Sequence, residues 1–169
     1  ASSIIDASGF GVTPDRVFHV ISGATLNISD VTIQGGDQNN SGGVFVENGT
    51  LNLSDAIVRD NTSDRGGGIH VHGTANLERV LLYNNTADEG GAIHFHGADG
   101  GSLTNVTISG NDATSEGGGL WTDSAITVTN STITLNDAPN GGGIVNSGGT
   151  VDISNTNVAE NVASLDQDV

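Results

Sequence analysis

A unit of about 25 residues recurs along nearly the whole chain, and no other feature restricts the fold so tightly. Aligned on its glycine corners, the sequence puts Val44, Ile69, Ile93, Leu120 and Ile144 in one column, at spacings of 25, 24, 27 and 24 residues. A second column runs Ile28, Leu53, Leu77, Leu103, Val128 and Ile153. Five residues further on lies a third: Ile33, Val58, Leu82, Ile108, Ile133 and Val158. Asn61, Asn85, Asn111, Asn136 and Asn161 form a fourth column, three residues after the third.

Inside each unit apolar and polar residues alternate, as in "TLNISDVTI" (25–33) and "AITVTNSTI" (125–133). Alternation of period two marks a strand with one buried face, and nothing in the pattern follows the helical period. Short strands separated by glycine or asparagine corners, repeated at this length, predict an all-β, right-handed parallel β-helix. About six to seven coils of 24–27 residues are expected, with three short strands per coil. The chain reads as one domain, 1–169: a partial N-terminal coil over 1–15, repeat coils over 16–163 and a polar end over 164–169. Six coils stacked at about 4.8 Å would make a rod about 29 Å long.

The corners have physical causes. Glycine reaches positive φ without a steric penalty, so "GGG" marks a tight turn into the next strand. An asparagine recurring at the opposite corner can bond to its copies above and below, and the column 61, 85, 111, 136, 161 reads as a structural amide ladder. The insertion "GADGGS" (97–102) accounts for the long spacing of 27 and is expected to be an exposed loop.

At this point the sequence resembles a known group. "DRVFHVISGATLNISDVTIQGG" (15–36), followed by "GGGI" and "NNTA" units, is similar to the right-handed parallel β-helix repeats of CSLREA-type bacterial and archaeal surface proteins. "YNNTADEGGAIHF" (83–95) resembles the polymorphic outer-membrane-protein repeat, with Tyr83 where that repeat has Phe. The resemblance spans residues 15 to about 163, and it implies an exported adhesin or surface scaffold rather than a reaction.

Composition narrows the function classes. Four Arg and no Lys stand against 20 Asp and Glu, a formal net charge of −16. Binding nucleic acid through phosphates needs clustered cations, so that class is excluded. A carboxylate-rich, lysine-free surface suits high salt, where its self-repulsion is screened, and points to a marine or halophilic setting. With no Cys there is neither a disulfide framework nor thiolate chemistry. Apolar runs are only a few residues long, too short for a membrane-inserted helix in this segment.

What the repeat leaves unexplained is a doubled His-x-His, in "GGGIHVHG" (66–73) and "GGAIHFHG" (90–97). With Ile69, Val71, Ile93 and Phe95 inward, alternation turns His70, His72, His94 and His96 outward on one face. Two rows result: Phe45, His70, His94, Trp121, Val145, and Glu47, His72, His96, Asp123, Ser147. Three readings of the patch are open. Its imidazoles could converge on Zn²⁺, Cu²⁺ or Ni²⁺, stack as solvated rings, or bind a ligand beside the outward aromatics Phe45 and Trp121 with Glu47 and Asp123. A one-residue slip at "GGGLWTD" would instead bury Trp121 and expose Leu120.

Catalysis is disfavoured. A lyase needs a cation against the substrate carboxylate, and no Arg falls in these rows. Glycosidase carboxylates stand about 5–9.5 Å apart, whereas Glu47 and Asp123 are three coils apart, about 14 Å. The expectation is therefore a non-enzymatic module, extracellular or at the cell surface, that is structural or adhesive. Its partners would be further coils, added by self-association through open β-helix ends or by neighbouring repeats, and surface glycans. The alternative is a carbohydrate-binding or polysaccharide-processing β-helix using the His/Trp face. Sequons at Asn27, Asn48, Asn52, Asn84, Asn105 and Asn130 are candidate glycosylation sites, and that at Asn61 belongs to the ladder. Ca²⁺ at carboxylates such as Asp166 and Asp168 is a further metal expectation, although no calcium-loop spacing is present.

Overall fold

In the computed structural model of the chain, which describes residues 3–8 and 15–164, there is no helix among the described residues. Parallel strands stack coil upon coil in a β-solenoid of about six turns. Asp166 and Asp168, and with them the expected calcium ligands, lie outside the described residues.

Three parallel sheets wrap the core. The first is six-stranded: Phe18–Val20, Val44–Val46, Ile69–Val71, Ile93–Phe95, Leu120–Thr122 and Ile144–Asn146. A bent 11-stranded sheet forms two faces, and a four-stranded sheet (Thr86–Glu89, Asp112–Glu116, Asp137–Ala138, Val162–Ala163) completes the later coils. Every apolar column of the repeat is a register column: Val44 pairs with Ile69, Leu53 with Leu77, and Val58 with Leu82. Ser3–Asp6 adds the strand of a partial coil by pairing with Val31–Gln34.

Coils do not all hold three strands. Where Thr50–Arg59 and Thr74–Tyr83 run as single bent strands, the next coil splits the same path into Gly100–Thr104 and Thr107–Ser109. The bend lies at a column of left-handed residues: Asp30, Asp55, Arg79, Asn105, Asn130 and Asn155, all with φ between 47° and 57°. Asp and Asn tolerate this region because their short side chains bond locally. A second left-handed column contains Gly66, Gly90, Gly117 and Gly141, the first glycine of each triplet-like corner. The second glycine answers to crowding: a Cβ on Gly67 would lie 2.5 Å from the Thr86 carbonyl oxygen and 2.6 Å from that of Gly91 on the next coil.

The insertion at 97–102 is only partly a loop. Gly100 and Gly101 enter a strand, pairing with Thr74 and Ala75. Gly101 leaves room for the largest inward side chain, since a Cβ there would sit 2.9 Å from the Phe95 ring.

The asparagine ladder is present, buried at Asn61, Asn85, Asn111 and Asn136 and half-buried at Asn161. Asn61 donates to Asn85 Oδ1 at 3.0 Å, Asn85 to Asn111 at 3.0 Å, Asn111 to Asn136 at 2.9 Å and Asn136 to Asn161 at 2.9 Å. Asn85, Asn111, Asn136 and Asn161 Oδ1 each also take the backbone N–H of the preceding coil's asparagine, as Asn85 Oδ1 does from Asn61 at 3.2 Å, and Asn61 Oδ1 takes that of Gly36 at 3.0 Å. A buried amide left unpaired costs about 1–3 kcal/mol, so the full satisfaction of this column is what makes its burial tolerable.

Candidate functional site

The outward face of the six-stranded sheet carries the candidate site. Each three-residue strand points its ends inward and its middle residue outward, and in-register pairing stacks those middle residues: His19 on Phe45, Phe45 on His70, His70 on His94, His94 on Trp121, Trp121 on Val145. The row is the predicted one, extended by His19. Leu120 is inward and fully buried, so no register slip occurs at Trp121.

Ring centroids along the row lie 5.1 Å apart for His19–Phe45, 5.3 Å for Phe45–His70, 4.8 Å for His70–His94 and 4.4 Å for His94–Trp121. The last pair is parallel, with 5° between the planes. A ring on every coil at strand spacing shields its neighbours above and below. Of the three readings, that of solvated rings therefore fails for two of the four histidines: His70 is 0% exposed and His94 1%. Trp121, expected outward and open, keeps 9% of its surface. Alternation sets the outward direction of each ring; burial follows from the company each ring keeps.

The second row, Glu47, His72, His96, Asp123 and Ser147, runs alongside, tied by backbone bonds such as His72 N–H to Val46 O (2.8 Å) and His96 N–H to Val71 O (3.0 Å). His72 is half-buried and His96 is exposed. His96 Nδ1 meets Asp123 Oδ2 at 2.9 Å, and at the other end His19 Nε2 meets Glu47 Oε2 at 2.9 Å. His72 Nε2 and His70 Nε2 face each other at 3.1 Å.

The far side of the ring row is closed by a column that sequence reasoning missed: Arg65, Glu89, Glu116 and Asn140, each immediately before a left-handed glycine. Arg65 Nε bonds Glu89 Oε2 at 3.3 Å, and Trp121 Nε1 donates to Glu116 Oε2 at 3.1 Å. Arg16 stacks over the Phe45 ring at 5.0 Å. Thus cations do reach the face, although none lies in its rows. Glu47 and Asp123 stand three coils apart as expected, while Glu89 and Glu116 are register neighbours whose carboxylates are engaged by Arg65 and Trp121.

Burial dominates the electrostatics. It pushes His70 down to about 2, with the neighbouring His94, His72 and Arg65 adding to the effect. His94 falls to about 3 for the same first reason, then through Arg65. Glu89 Oε2 lies 3.4 Å from His94 Nε2, but half-exposed and already held by Arg65 it does not offset the burial. His72 is lowered by burial, His96 and Arg65, against the opposing pull of Glu47 and Asp123. Burial raises Asp123, yet the Gly97 N–H, the Ser124 hydroxyl and His96 hold its carboxyl below the usual range. Both buried rings are consequently neutral at neutral pH. Their remaining nitrogens, His70 Nδ1 and both nitrogens of His94, have no hydrogen-bond partner.

No group of three metal-binding side chains converges on one point among the described residues. The sequon asparagines divide: Asn48, Asn84, Asn105 and Asn130 sit exposed at left-handed corners, whereas Asn52 donates its amide to Asn27 at 2.7 Å in an outer ladder. Asn61 is committed to the buried ladder.

Comparison of the chain with protein families, curated proteins and solved structures found no match.

Proposed function

We propose that the chain is a non-catalytic structural module of an exported, extracellular or cell-surface protein, a stiff rod that joins further coils of like register end to end. The supporting observation is the state of the inward columns at the two ends. Val128 and Ile133 are fully buried, but their partners on the last described coil, Ile153 and Val158, are 47% and 44% exposed. Toward the opposite end the inward Ile5, Phe18, Leu26 and Ile28 are likewise only partly buried. Such cross-sections present apolar side chains and unpaired strand edges together, a surface whose complement is another coil. A head-to-tail contact between unlike ends does not close on itself and propagates as a fibre.

The ring row supports the same reading. Its aromatic faces are spent on one another: the Trp121 ring is covered by His94 on one side and has Val145 as its register partner on the other. A sugar stacking on Trp121 would need that face free, so carbohydrate binding finds less support.

Electron microscopy and sedimentation of the purified chain test the proposal. Rods longer than one chain that shorten to single units in an Ile153→Asp/Val158→Asp variant are expected. Monodisperse single units at all concentrations and salt levels would overturn it.

A further inference from the structure

We propose that His70 and His72, together with His96, form a binding site for a single borderline-soft divalent cation, Zn²⁺ or a metal of like preference, on the outer face of the rod. This site is independent of the structural role above.

The two Nε2 atoms of His70 and His72 are 3.1 Å apart. Nitrogens bound to one ion at about 2.05 Å, with an angle between a right angle and a tetrahedral one, lie about 2.9–3.3 Å apart. The pair is therefore already spaced as a bidentate clamp. His-x-His on a strand ordinarily separates its rings by two residues of extended chain; here the Phe45 and His94 rings pack against His70, and T-shaped contact with His72 at 4.6 Å turns the two rings together.

Among the described residues no three such side chains converge as the rings stand, so His96 becomes the third ligand by turning toward the pair. Its ring centroid is 5.7 Å from that of His72, and its side chain is exposed enough to turn. The Asp123 carboxylate can accept only from a protonated Nδ1, which leaves the Nε2 lone pair of His96 for a metal. A carboxylate behind a histidine is the arrangement that fixes the ring and raises its basicity as a ligand. Glu47 and Asp123 flank the row and, with the net charge of −16, favour a cation over the opposing charge of Arg65. For both Nε2 atoms to bind, the proton of their hydrogen bond shifts to the Nδ1 of the same ring.

The probe is Zn²⁺ or Co²⁺ alone, added to chelator-treated protein at neutral pH, followed by titration calorimetry and by the visible absorption of bound Co²⁺. Saturable 1:1 uptake is expected. His72→Ala and His96→Ala should each weaken it at least tenfold, Asp123→Asn by about tenfold, and His19→Ala not at all. His70→Gln should abolish it; if that variant fails to fold, the solvent-side His72→Ala decides. Absence of saturable uptake, or uptake by the acidic surface that His72→Ala leaves unchanged, would overturn the site.

Discussion

Acidification within the range where carboxylates stay ionised should weaken this fold through two side chains, His70 and His94. Their folded values, about 2 and about 3, lie far below the ordinary 6.5. The unfolded chain therefore binds their protons more strongly than the folded one. Their contribution is intact above about pH 6.5 and is lost as pH falls toward the folded values. Between about pH 7.5 and about pH 5.0 each ring costs about 2 kcal/mol, and the pair about 4 kcal/mol. That figure depends only on the folded values lying well below 5, not on where they fall. Asp6, Asp55 and Asp123 are held below the usual carboxylate value, so their pairing is lost only at lower pH and does not enter the window.

Around the two rings, burial, Arg65, His72 and His96 oppose protonation, and Glu89, 3.4 Å from His94, favours it. Urea unfolding measures the balance. With a slope of about 2.5 kcal/mol per molar, the midpoint should fall by roughly 1.5 M across the window. A His70→Phe/His94→Phe variant keeps the ring stack but removes the titration, and only the smaller effect of His72 should remain. The Hε1 resonances of His70 and His94 should stay flat through the same range. A midpoint that does not move, or a double variant as acid-sensitive as the parent, would refute the reasoning.

Two other outcomes are expected. Asn85→Ala strips acceptors from the Asn61 backbone and side-chain N–H groups and the donor to Val58 O and Asn111 Oδ1, all buried. It should cost about 3–5 kcal/mol, read as a lower urea midpoint with new protease cleavage near residues 58–62, and Asn85→Asp should do no better. Raising NaCl from about 0.1 M to about 1 M shortens the screening length from about 10 Å to about 3 Å. The urea midpoint should rise as self-repulsion of the −16 surface is screened; a fall would show that Arg–carboxylate pairs such as Arg79–Asp55 outweigh that repulsion.

The repeat made the fold legible because side-chain period and coil period are both fixed lengths: once Val44, Leu53 and Val58 were assigned to columns, register followed. Direction was legible for the histidines by the same alternation. Coverage was not, because alternation says which way His70 points and nothing about how much bulk stands on the coils beside it. His19 escaped because its coil lacks the glycine triplet that anchors the alignment; "DRVFHV" enters the same register with Asp15–Arg16–Val17 in place of glycines. Arg65, Glu89 and Glu116 do share a column, each just before a left-handed glycine. Turn residues do not alternate, so their direction toward the rings had no signal in the pattern.

Two ladders run along this rod, and their different fates come from the shape of the repeating group. An asparagine amide carries a donor and an acceptor that can both lie along the stacking axis, so each copy satisfies the next, and the column can be buried without loss. An imidazole stacked in register turns its π-face along the axis and its nitrogens sideways. Its neighbours above and below then provide packing but no hydrogen bonds, which is the condition of His94, parallel to Trp121 with both nitrogens unpartnered. Only a tilt of one ring against another returns nitrogens to each other, as in the T-shaped pair of His70 and His72. A fold whose sole need at this row was packing would be served as well by Phe, as Phe45 already does one coil away; histidine adds nothing to the stack except nitrogens directed off the axis, where a cation could use them.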